Sequence, residues 1–344
     1  MSDSKVGIKQ IARIANVDAS TVSRALSGSS RVKFETRQEI LEIAEKLNYK
    51  PNSLARGLVS GKTHSIGVVL PEISNSFYAG VISSLETVVA AAGYSILLGL
   101  SHYDRDLESS CVDLFEAKMV DGIVLFSVTS EKEKIWTEER LRRMRAPMIM
   151  LDYGMDVRNV DVVASDHIAG VHLGVEYLVK LGHKRIAFVT DGVTTNERLE
   201  AFITYTRYYG LDVSDYIVRS DVKYEQGGYN AVQQLFSADT IPTAVFCAND
   251  YMCIGVMKAL YDRGLRIPQD VSVMGFDDST LMNYLQCPPT TIRQHKHRLG
   301  KEAGRLLLKR MSEGGRGEDN SYAKITIQPE LVVRSTTGPY KDRE

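Results

Sequence analysis

The sequence predicts an N-terminal all-α helix-turn-helix domain, followed by an α/β core of two doubly wound parallel-sheet lobes. Two observations lead to this fold class. Within about the first 50 residues, apolar side chains recur at helical spacing. From Ser65 onward, short apolar runs alternate with helical stretches, an alternation typical of parallel sheets covered on both faces. Roughly 280 residues of this alternation fit two lobes better than one.

Composition and charge narrow the function classes. The 344-residue chain has a net charge of −1, but residues 1–62 hold eleven Lys or Arg against six Asp or Glu, while the remainder holds 31 against 37. A basic segment on an acidic body indicates a polyanionic partner for that segment. The absence of a run of about 18 apolar residues argues against a membrane span. The polar N-terminus is unlike a signal peptide, and the four cysteines are scattered, so we expect a cytoplasmic protein with reduced thiols.

Three short helices are predicted in the N-terminal segment. The first ends at a turn formed by Asn16 and Val17, where Asn tolerates a left-handed backbone. Asp18 is then placed to cap a second helix, Ala19–Leu26, and a third helix runs from about Phe34 to Leu47. The expected buried stripes are Ile8, Ile11, Ala12 and Ala15 in the first helix, Val22, Ala25 and Leu26 in the second, and Ile40, Ile43, Ala44 and Leu47 in the third.

The second helix has the composition of a DNA-contacting element. Its outward residues are small or polar, and Ser and Thr hydroxyls reach phosphates or base edges while an Arg pairs bidentately with guanine. The alternative from spacing alone is a generic three-helix bundle with surface serines. The outward residues are Ala19, Ser20, Thr21, Ser23 and Arg24.

Strands and helices alternate through the core. The expected strands are Ser65–Leu70, Ser95–Leu100, Gly122–Phe126, Pro147–Leu151, Arg185–Thr190, Ala244–Ala248 and Val271–Phe276. The expected helices are Tyr78–Ala92, Arg105–Lys118, His167–Leu181, Thr195–Tyr209, Glu225–Phe236 and Asp250–Arg263. Ligands of such sheets bind outside the carboxyl ends of the strands, which here means the cleft between the lobes.

Polar and aromatic residues follow several of these strands. Carboxylates, an amide and an arginine near aromatic rings suit a polyhydroxylated ligand, because they form paired hydrogen bonds to hydroxyls while the sugar ring stacks on an aromatic face. For any single Asp the alternative is a helix N-cap, which is the favoured interpretation of Asp250, and for Phe77 it is core packing. The residues are Pro71, Asn75, Phe77, Tyr78, Asp166, Asn249, Asp250, Asp277 and Asp278, with Arg198 in the helix after Asp191.

The segments IKQIARIANVDASTVSRALSG and RVKFETRQEILEIAEKLNYKPNSLARGL resemble the LacI/GalR family of sugar-responsive transcription regulators, and the resemblance extends over essentially the whole chain. Asn16 stands where the family usually has Gly, Asp18 replaces a common Ser, and Ala201 replaces a usual Gly. The first two substitutions suit their backbone roles. The third adds a methyl group to its helix.

The resemblance assigns DNA contacts residue by residue. Ala19, Ser20 and Arg24 would contact bases, while Thr21 and Ser23 would contact phosphates. Asn52–Ser60 would be a hinge that becomes helical on operator DNA, whereas the residues alone favour a plain linker. In that hinge Leu58 would wedge between base pairs. Asn52, Ala55 and Arg56 would accompany it at the minor groove.

The resemblance also implies a periplasmic-binding-protein-like core that binds its effector in the cleft. The expected organisation is a helix-turn-helix domain over 1–51, a hinge over 52–62, the core over 63–337 and a tail over 338–344. Three crossings would divide the core into a first lobe of about 63–163 plus 294–324 and a second of about 164–293 plus 325–337. The implied effector-binding residues are Phe77, Tyr78, Asp166, Arg198, Asn249 and Asp277.

The function hypothesis is a homodimeric repressor of carbohydrate-utilisation genes, bound to a near-palindromic operator and controlled by a small sugar. The dimer surface would include the Phe77–Ala92 helix and the Asp278–Pro289 region. The alternatives are a regulator driven by a protein corepressor, as in the catabolite-control branch of the family, and a purine-type corepressor-dependent repressor. A carbohydrate-active enzyme or a transport receptor is the third class.

Enzyme and metal functions have little support in the sequence. No GxGxxG follows a strand, and the chain has neither GxxxxGK[ST] nor GxSxG. His295 and His297 are a possible metal pair, but no thiol or carboxylate lies close to them in sequence. Asp277 and Asp278 could mimic an acid/base pair, yet no nucleophile or cofactor motif accompanies them. We therefore expect no catalysis, no metal and no cofactor.

Overall fold

The computed structural model describes residues 7–26, 29, 31–49, 61–127, 135–152, 159–191, 196–237, 241–314 and 321–340. The chain forms two compact units, Met1–Thr63 and His64–Glu344. The first is all helical in its described part and the second contains two parallel-sheet lobes, so the predicted fold class is confirmed. Among the described residues, no helix is long and apolar enough to cross a bilayer.

The N-terminal unit contains the three predicted helices, α1 Ile8–Ile14, α2 Ala19–Leu26 and α3 Phe34–Lys46. Asn16 has a φ of +50°, as its place in the turn predicts. The carbonyl oxygen of Asp18 accepts the first helical bonds of α2, from the amides of Thr21 and Val22. The small core that joins the helices consists mainly of the predicted stripes: Ile11, Ala12, Ala15, Val22, Ala25, Ile40 and Ala44 are buried, and Ile8, Leu26, Ile43 and Leu47 pack against them.

The core follows the predicted alternation. Its described strands are β1 Ser65–Leu70, β2 Ser95–Leu100, β3 Gly122–Phe126, β4 Met148–Leu151, β5 Asp161–Ser165, β6 Ile186–Thr190, β7 Ile217–Arg219, β8 Ala244–Cys247, β9 Ser272–Asp277, β10 Thr290–Arg293, β11 Lys324–Ile327 and β12 Glu330–Val332. Its described α-helices are α4 Ser76–Ala91, α5 Arg105–Ala117, α6 Glu138–Arg143, α7 His167–Lys180, α8 Asn196–Tyr208, α9 Tyr224–Leu235, α10 Asp250–Asp262 and α11 Lys296–Ser312.

Each lobe contains one six-stranded sheet. The first has the order β11-β5-β4-β3-β1-β2 and its neighbours are all parallel. The second has the order β12-β10-β9-β8-β6-β7, with only β10 and β12 antiparallel among its paired strands. The central strands β3, β4, β6 and β8 are buried along their whole length, which is why they appear in the sequence as continuous apolar runs.

The predicted lobe boundaries need correction at two crossings. Strand β5 lies wholly in the first sheet, so the first crossing comes after Ser165 rather than at residue 164. Strand β11 pairs in parallel with β5, so residues 325–327 also belong to the first lobe and the last crossing follows Ile327. At the last crossing only residues 328–329 separate β11 from β12, so no loop marks it in the sequence.

Glycines allow two helices of the second lobe to touch along their backbones. A methyl group on Gly255 of α10 would overlap the carbonyl oxygen of Glu225, and one on Gly228 of α9 would overlap the carbonyl oxygen of Met252. Helix α10 begins at the cleft, so this close crossing also fixes the position of a helix that carries cleft residues.

Candidate functional site

Helix α2 buries one face in the N-terminal core and exposes the opposite face, which is the one predicted to contact DNA. Val22 and Ala25 are buried, whereas Ser20 and Arg24 are exposed. Ala19, Thr21 and Ser23 are partly exposed on the same helix. The predicted hinge residues Asn52, Ala55, Arg56 and Leu58 lie outside the described residues.

A cavity of about 50 Å³ lies in the cleft, at the carboxyl ends of the strands of both lobes. Five of the six predicted effector residues line it: Phe77, Tyr78, Arg198, Asn249 and Asp277. The described lining also includes Asn75, Tyr103, Asp152 and Tyr224. The strand-end rule and the resemblance therefore converge on one place in the fold.

Asp166 is the exception. Its carboxylate accepts hydrogen bonds from the Ala169 amide at 2.9 Å and from Nε2 of Gln328 at 3.0 Å, so it caps α7. It is absent from the described lining of the cavity. Asp166 thus has the helix-cap role, which the first turn of α7 needs because its free N–H groups require an acceptor, and its effector contact stays a prediction.

The helix cap that was expected of Asp250 is provided by Asn249, which also lines the cavity as predicted. The cap of α10 is Asn249, whose Oδ1 accepts from the Met252 amide at 2.9 Å. Asp250 is fully buried and accepts from the Ser279 amide at 2.6 Å and from the Thr291 hydroxyl at 2.7 Å. Burial and the nearby Asp277 carboxylate raise the pKa of Asp250. Asp250 therefore stabilises the segment after β9 through its bond to Ser279. Asn249 both caps the helix and lines the cavity.

Arg198 and Asp277 form the polar floor of the cavity. The Arg198 guanidinium is buried, donates from Nη1 to the Ala248 carbonyl at 2.6 Å, and lies 3.9 Å from the centre of the Phe276 ring. Nη1 is 3.5 Å from Oδ1 of Asp277, which also accepts from Nε2 of Gln294 at 2.7 Å. Burial raises the pKa of Asp277, although the Arg198 charge opposes the rise. Among the described residues, the buried Nε of Arg198 has no hydrogen-bond partner.

A second polar group, centred on His167, was missed from the sequence. His167 begins α7 in the second lobe, and its Nε2 is 3.0 Å from Oδ1 of Asp152, which follows β4 in the first lobe. Its Nδ1 is 3.3 Å from Oε2 of Glu197. Burial lowers the pKa of His167, but the charge of Asp152 and the hydrogen bonds to Asp152 and Glu197 together outweigh burial and raise it to about 9. Asp152 obeys the strand-end rule and could have been found, whereas no sequence signal marks His167.

The mouth of the cleft is closed by tyrosines from both lobes. The hydroxyl of Tyr103 in the first lobe is 2.7 Å from that of Tyr224 in the second. The hydroxyl of Tyr251 accepts from the Ser76 amide at 3.1 Å, and the side chains of Ser76 and Ser279 are hydrogen-bonded at 3.1 Å. These bonds hold the lobes together around the small cavity.

A larger groove of about 590 Å³ lies beside the start of α11 and is predominantly basic. The residues that line it are Asp278, Thr280, Asn283, Arg293, Gln294, His295, Lys296, His297, Arg298, Lys301, Glu302 and Arg305. The possible metal pair lies here, but His297 is hydrogen-bonded to Ser84 and His295 is paired with Glu330. None of the six predicted effector residues lines this groove.

Two family models match the chain. The model described as bacterial regulatory proteins, lacI family, matches residues 7–52, and the periplasmic binding protein-like domain matches residues 175–337. Among curated proteins, the HTH-type transcriptional repressor PurR of Histophilus somni is 32% identical over 337 residues, covering 96% of this chain and 98% of the relative. Catabolite control protein A of Priestia megaterium is 34% identical over 313 residues, covering 90% and 93%.

Several solved structures of transcription regulators are similar to this chain over most of its length. The Lac repressor dimer bound to operator and the anti-inducer ONPF matches with a TM-score of 0.85 at 26% identity, covering 97% of this chain and 99% of that one. A LacI family regulator from Enterococcus faecium with bound ribose gives 0.69 at 26% identity, covering 80% and 100%. The complex of the transcriptional regulator CelR with cellobiose gives 0.68 at 25% identity, covering 96% and 99%.

Proposed function

Because the chain belongs to the LacI family of bacterial regulatory proteins, we propose that it is a transcriptional repressor whose operator binding is controlled by a small sugar in the interlobe cleft. The observation that carries the proposal is the convergence of Phe77, Tyr78, Arg198, Asn249 and Asp277 around one cavity. An all-helical DNA-binding unit and a separate ligand-binding core are the two parts that such a switch requires.

The DNA-binding half of the proposal rests on α2 and the segment after α3. Ala19, Ser20 and Arg24 contact bases, and Thr21 and Ser23 contact phosphates, which agrees with the exposure of this face. The hinge is assigned to residues 52–62, with Leu58 as the wedge and Asn52, Ala55 and Arg56 beside it at the minor groove.

The ligand-binding half rests on paired donors and acceptors. A guanidinium beside a carboxylate, as in Arg198 and Asp277, matches two neighbouring hydroxyls, one accepting and one donating. The buried Nε of Arg198 gains a partner from a ligand oxygen once the cleft is occupied, since no described residue supplies one. Phe77 and Tyr78 provide the aromatic faces.

Ligand entry requires the lobes to separate. The cavity measures about 50 Å³, whereas small-molecule sites typically measure ~300–1,000 Å³. A sugar therefore occupies this cleft only after the bonds of Tyr103 to Tyr224 and of Ser76 to Ser279 have rearranged. Occupancy and lobe position are thus coupled, which is what effector control of a repressor needs.

The protein acts as a homodimer on a near-palindromic operator. The Lac repressor structure that it resembles is a dimer on its operator. In the region proposed for the dimer surface, Leu281 and Tyr284 are 56% and 81% exposed, which is unusual for such large side chains and favours a partner there.

A second candidate is control by a protein corepressor, and the basic groove at the start of α11 favours it. Most of the charged side chains that line this groove are positive, so it suits an acidic or phosphorylated protein surface. A nucleobase in the cleft is a further alternative, since several curated relatives are repressors named PurR.

A thermal-shift screen of free sugars, sugar phosphates and nucleobases tests the proposal. We expect one free sugar to raise the melting temperature, because a ligand at about 100 times its Kd adds about 2.7 kcal/mol to the unfolding free energy. Asp277→Asn should abolish this shift. Asp278→Asn is the matched control, because Arg293 and Arg334 hold the neighbouring carboxylate and it does not line the cavity.

Operator DNA selected from random sequence completes the test. The ligand that stabilises the protein should change operator affinity by some factor, and operator should change ligand affinity by the same factor. A ligand response that persists in Asp277→Asn would remove the cleft as its site. A protein that responds to no small molecule, but gains operator affinity from an acidic protein partner, would favour the second candidate.

A further inference from the structure

The cleft mouth contains a hydrogen-bond relay with a fixed direction. The Tyr103 hydroxyl is 2.6 Å from Oε1 of Glu72 and 2.7 Å from the Tyr224 hydroxyl. A carboxylate accepts and cannot donate, so Tyr103 is the donor of the hydrogen bond to Glu72. Its oxygen then accepts from Tyr224, whose proton points toward Tyr103. Burial raises the pKa of Tyr103, which keeps the phenol protonated in this role.

The direction of the relay decides what the wall offers a ligand. Tyr103 and Tyr224 both line the cavity, and both protons are already committed within the relay. The Tyr103 oxygen is therefore an acceptor toward the cleft, and it stays one when Tyr224 separates from it, because Tyr103 and Glu72 belong to the same lobe. A ligand hydroxyl can donate to this oxygen, whereas a phosphate oxygen carries only lone pairs and would oppose it.

The charges at the cleft mouth also disfavour a phosphate. The Lys223 ammonium lies 3.0 Å from the centre of the Tyr103 ring, and burial lowers its pKa, although the charges of Asp191 and Glu72 oppose the lowering. One cation therefore faces two anions at this point. A phosphate placed here would have to compete with both carboxylates for Lys223.

The cations deeper in the cleft are also paired with carboxylates. Arg198 is paired with Asp277, and His167 is placed between Asp152 and Glu197. Within the described ranges, these groups and the mouth together comprise three cations and five carboxylates. A phosphate dianion would enter a site that already has an excess of negative charge, and burying an uncompensated charge is costly.

From the relay and the charge balance, we propose that the cleft selects an unphosphorylated sugar over its phosphate ester, and that Glu72 is the residue that sets this selectivity. The inference rests on the proposed function, because it specifies the ligand of the same cleft. Glu72 acts in two ways, by its negative charge and by holding the Tyr103 proton away from the ligand.

Calorimetric titration of the full chain with matched pairs tests the inference. The probes are D-ribose and ribose 5-phosphate, D-glucose and glucose 6-phosphate, and D-fructose and fructose 1-phosphate. We expect the wild type to bind one free sugar and to bind its ester at least about tenfold more weakly, equivalent to about 1.4 kcal/mol. Glu72→Gln should reduce this ratio by about tenfold, because the charge is lost and an amide can donate.

Two further variants separate charge from relay direction. Tyr103→Phe breaks the relay but keeps the Glu72 charge, so it should retain part of the selectivity that Glu72→Gln loses. Glu176→Gln is the control, because that carboxylate is paired with Lys180 outside the cleft and its loss should leave the ratio unchanged.

The outcomes distinguish this inference from the proposed function. A free sugar that binds with a ratio unaffected by Glu72→Gln would overturn the role of Glu72 and leave the sugar-binding function standing. An ester that binds more tightly than its parent sugar would overturn the selectivity itself. A panel in which neither sugars nor esters bind would reject the sugar-responsive function, and this inference with it.

Discussion

The ion pair between His167 and Asp152 should make the stability of the core depend on pH. The pair joins the second lobe to the first across 3.0 Å, with 8% and 14% of the two side chains exposed. The pKa of His167 is raised from 6.5 to about 9. Its contribution is therefore fully present below about pH 6.5 and is lost as the pH rises through about 9.

The magnitude follows from the shift. At 1.36 kcal/mol per pKa unit, a rise from 6.5 to about 9 corresponds to about 3 kcal/mol of unfolding free energy. The lowered pKa of Asp152 describes the same interaction from its other partner and is not added. The charged groups around the imidazole are Asp152, Glu197, Arg198 and Asp277, and the neutral amide of Gln294 lies 3.2 Å from Nε2.

Urea unfolding at pH 6.5 to 10 measures this effect. Trp136, the one tryptophan of the chain, is buried in the first lobe and reports the unfolding of the core. Relative to His167→Gln, the wild type should lose about 3 kcal/mol between pH 6.5 and pH values above 9. His172→Gln is the control, since His172 stacks on Tyr205 away from this pair and its removal should preserve the wild-type slope. An equal slope in wild type and His167→Gln would refute the reasoning.

Two further predictions concern the DNA-binding helix and the helix crossing. Arg24→Ala should reduce the preference for operator over random DNA by about 1–3 kcal/mol. Titration of both DNAs at one salt concentration measures this preference. An equal loss of affinity for both DNAs would assign Arg24 to a phosphate contact instead. Gly255→Ala should cost about 1–3 kcal/mol of stability in urea unfolding, because its methyl group meets the Glu225 backbone. Gly80→Ala is its control, since the three heavy atoms nearest to that methyl group all belong to the flexible side chain of Lys296, and equal losses in both variants would contradict the packing argument.

Much of the fold could be predicted because buried parallel strands have a strong signature. Strands β1, β2 and β3 have their predicted bounds, and β4, β6, β8 and β9 differ from them by one residue at one end or both. Strand β7 has three residues, and β11 lies at the edge of its sheet with a Lys-Ile-Thr-Ile pattern, so neither forms a continuous apolar run. Short and edge strands obtain their order from pairing with neighbours that are distant in sequence, and local patterns do not record those neighbours.

The candidate site likewise contains residues that the sequence identifies and residues that it does not. Asn249 and Asp277 were found because each follows or ends a strand that carries a clear apolar run. Tyr103 and Tyr224 were missed because their contact joins residues 121 positions apart in two different lobes. The strand-end rule identifies groups within one sheet, whereas the relay at the mouth exists only when two sheets face each other. Asp166 also lies beside a strand end and satisfies the rule, yet the structure shows it as a helix cap.

The cross-lobe bonds also limit how a ligand can act. The phenol pair of Tyr103 and Tyr224 must separate when a sugar enters, so sugar hydroxyls replace an existing hydrogen bond and do not simply add to the total. The bond between His167 and Asp152 also joins the two lobes, and Asp152 lines the cavity. A ligand shifts the lobes only by the difference in its affinity for the two arrangements. That difference should therefore arise where cross-lobe bonds are exchanged for bonds to the ligand, as at the mouth.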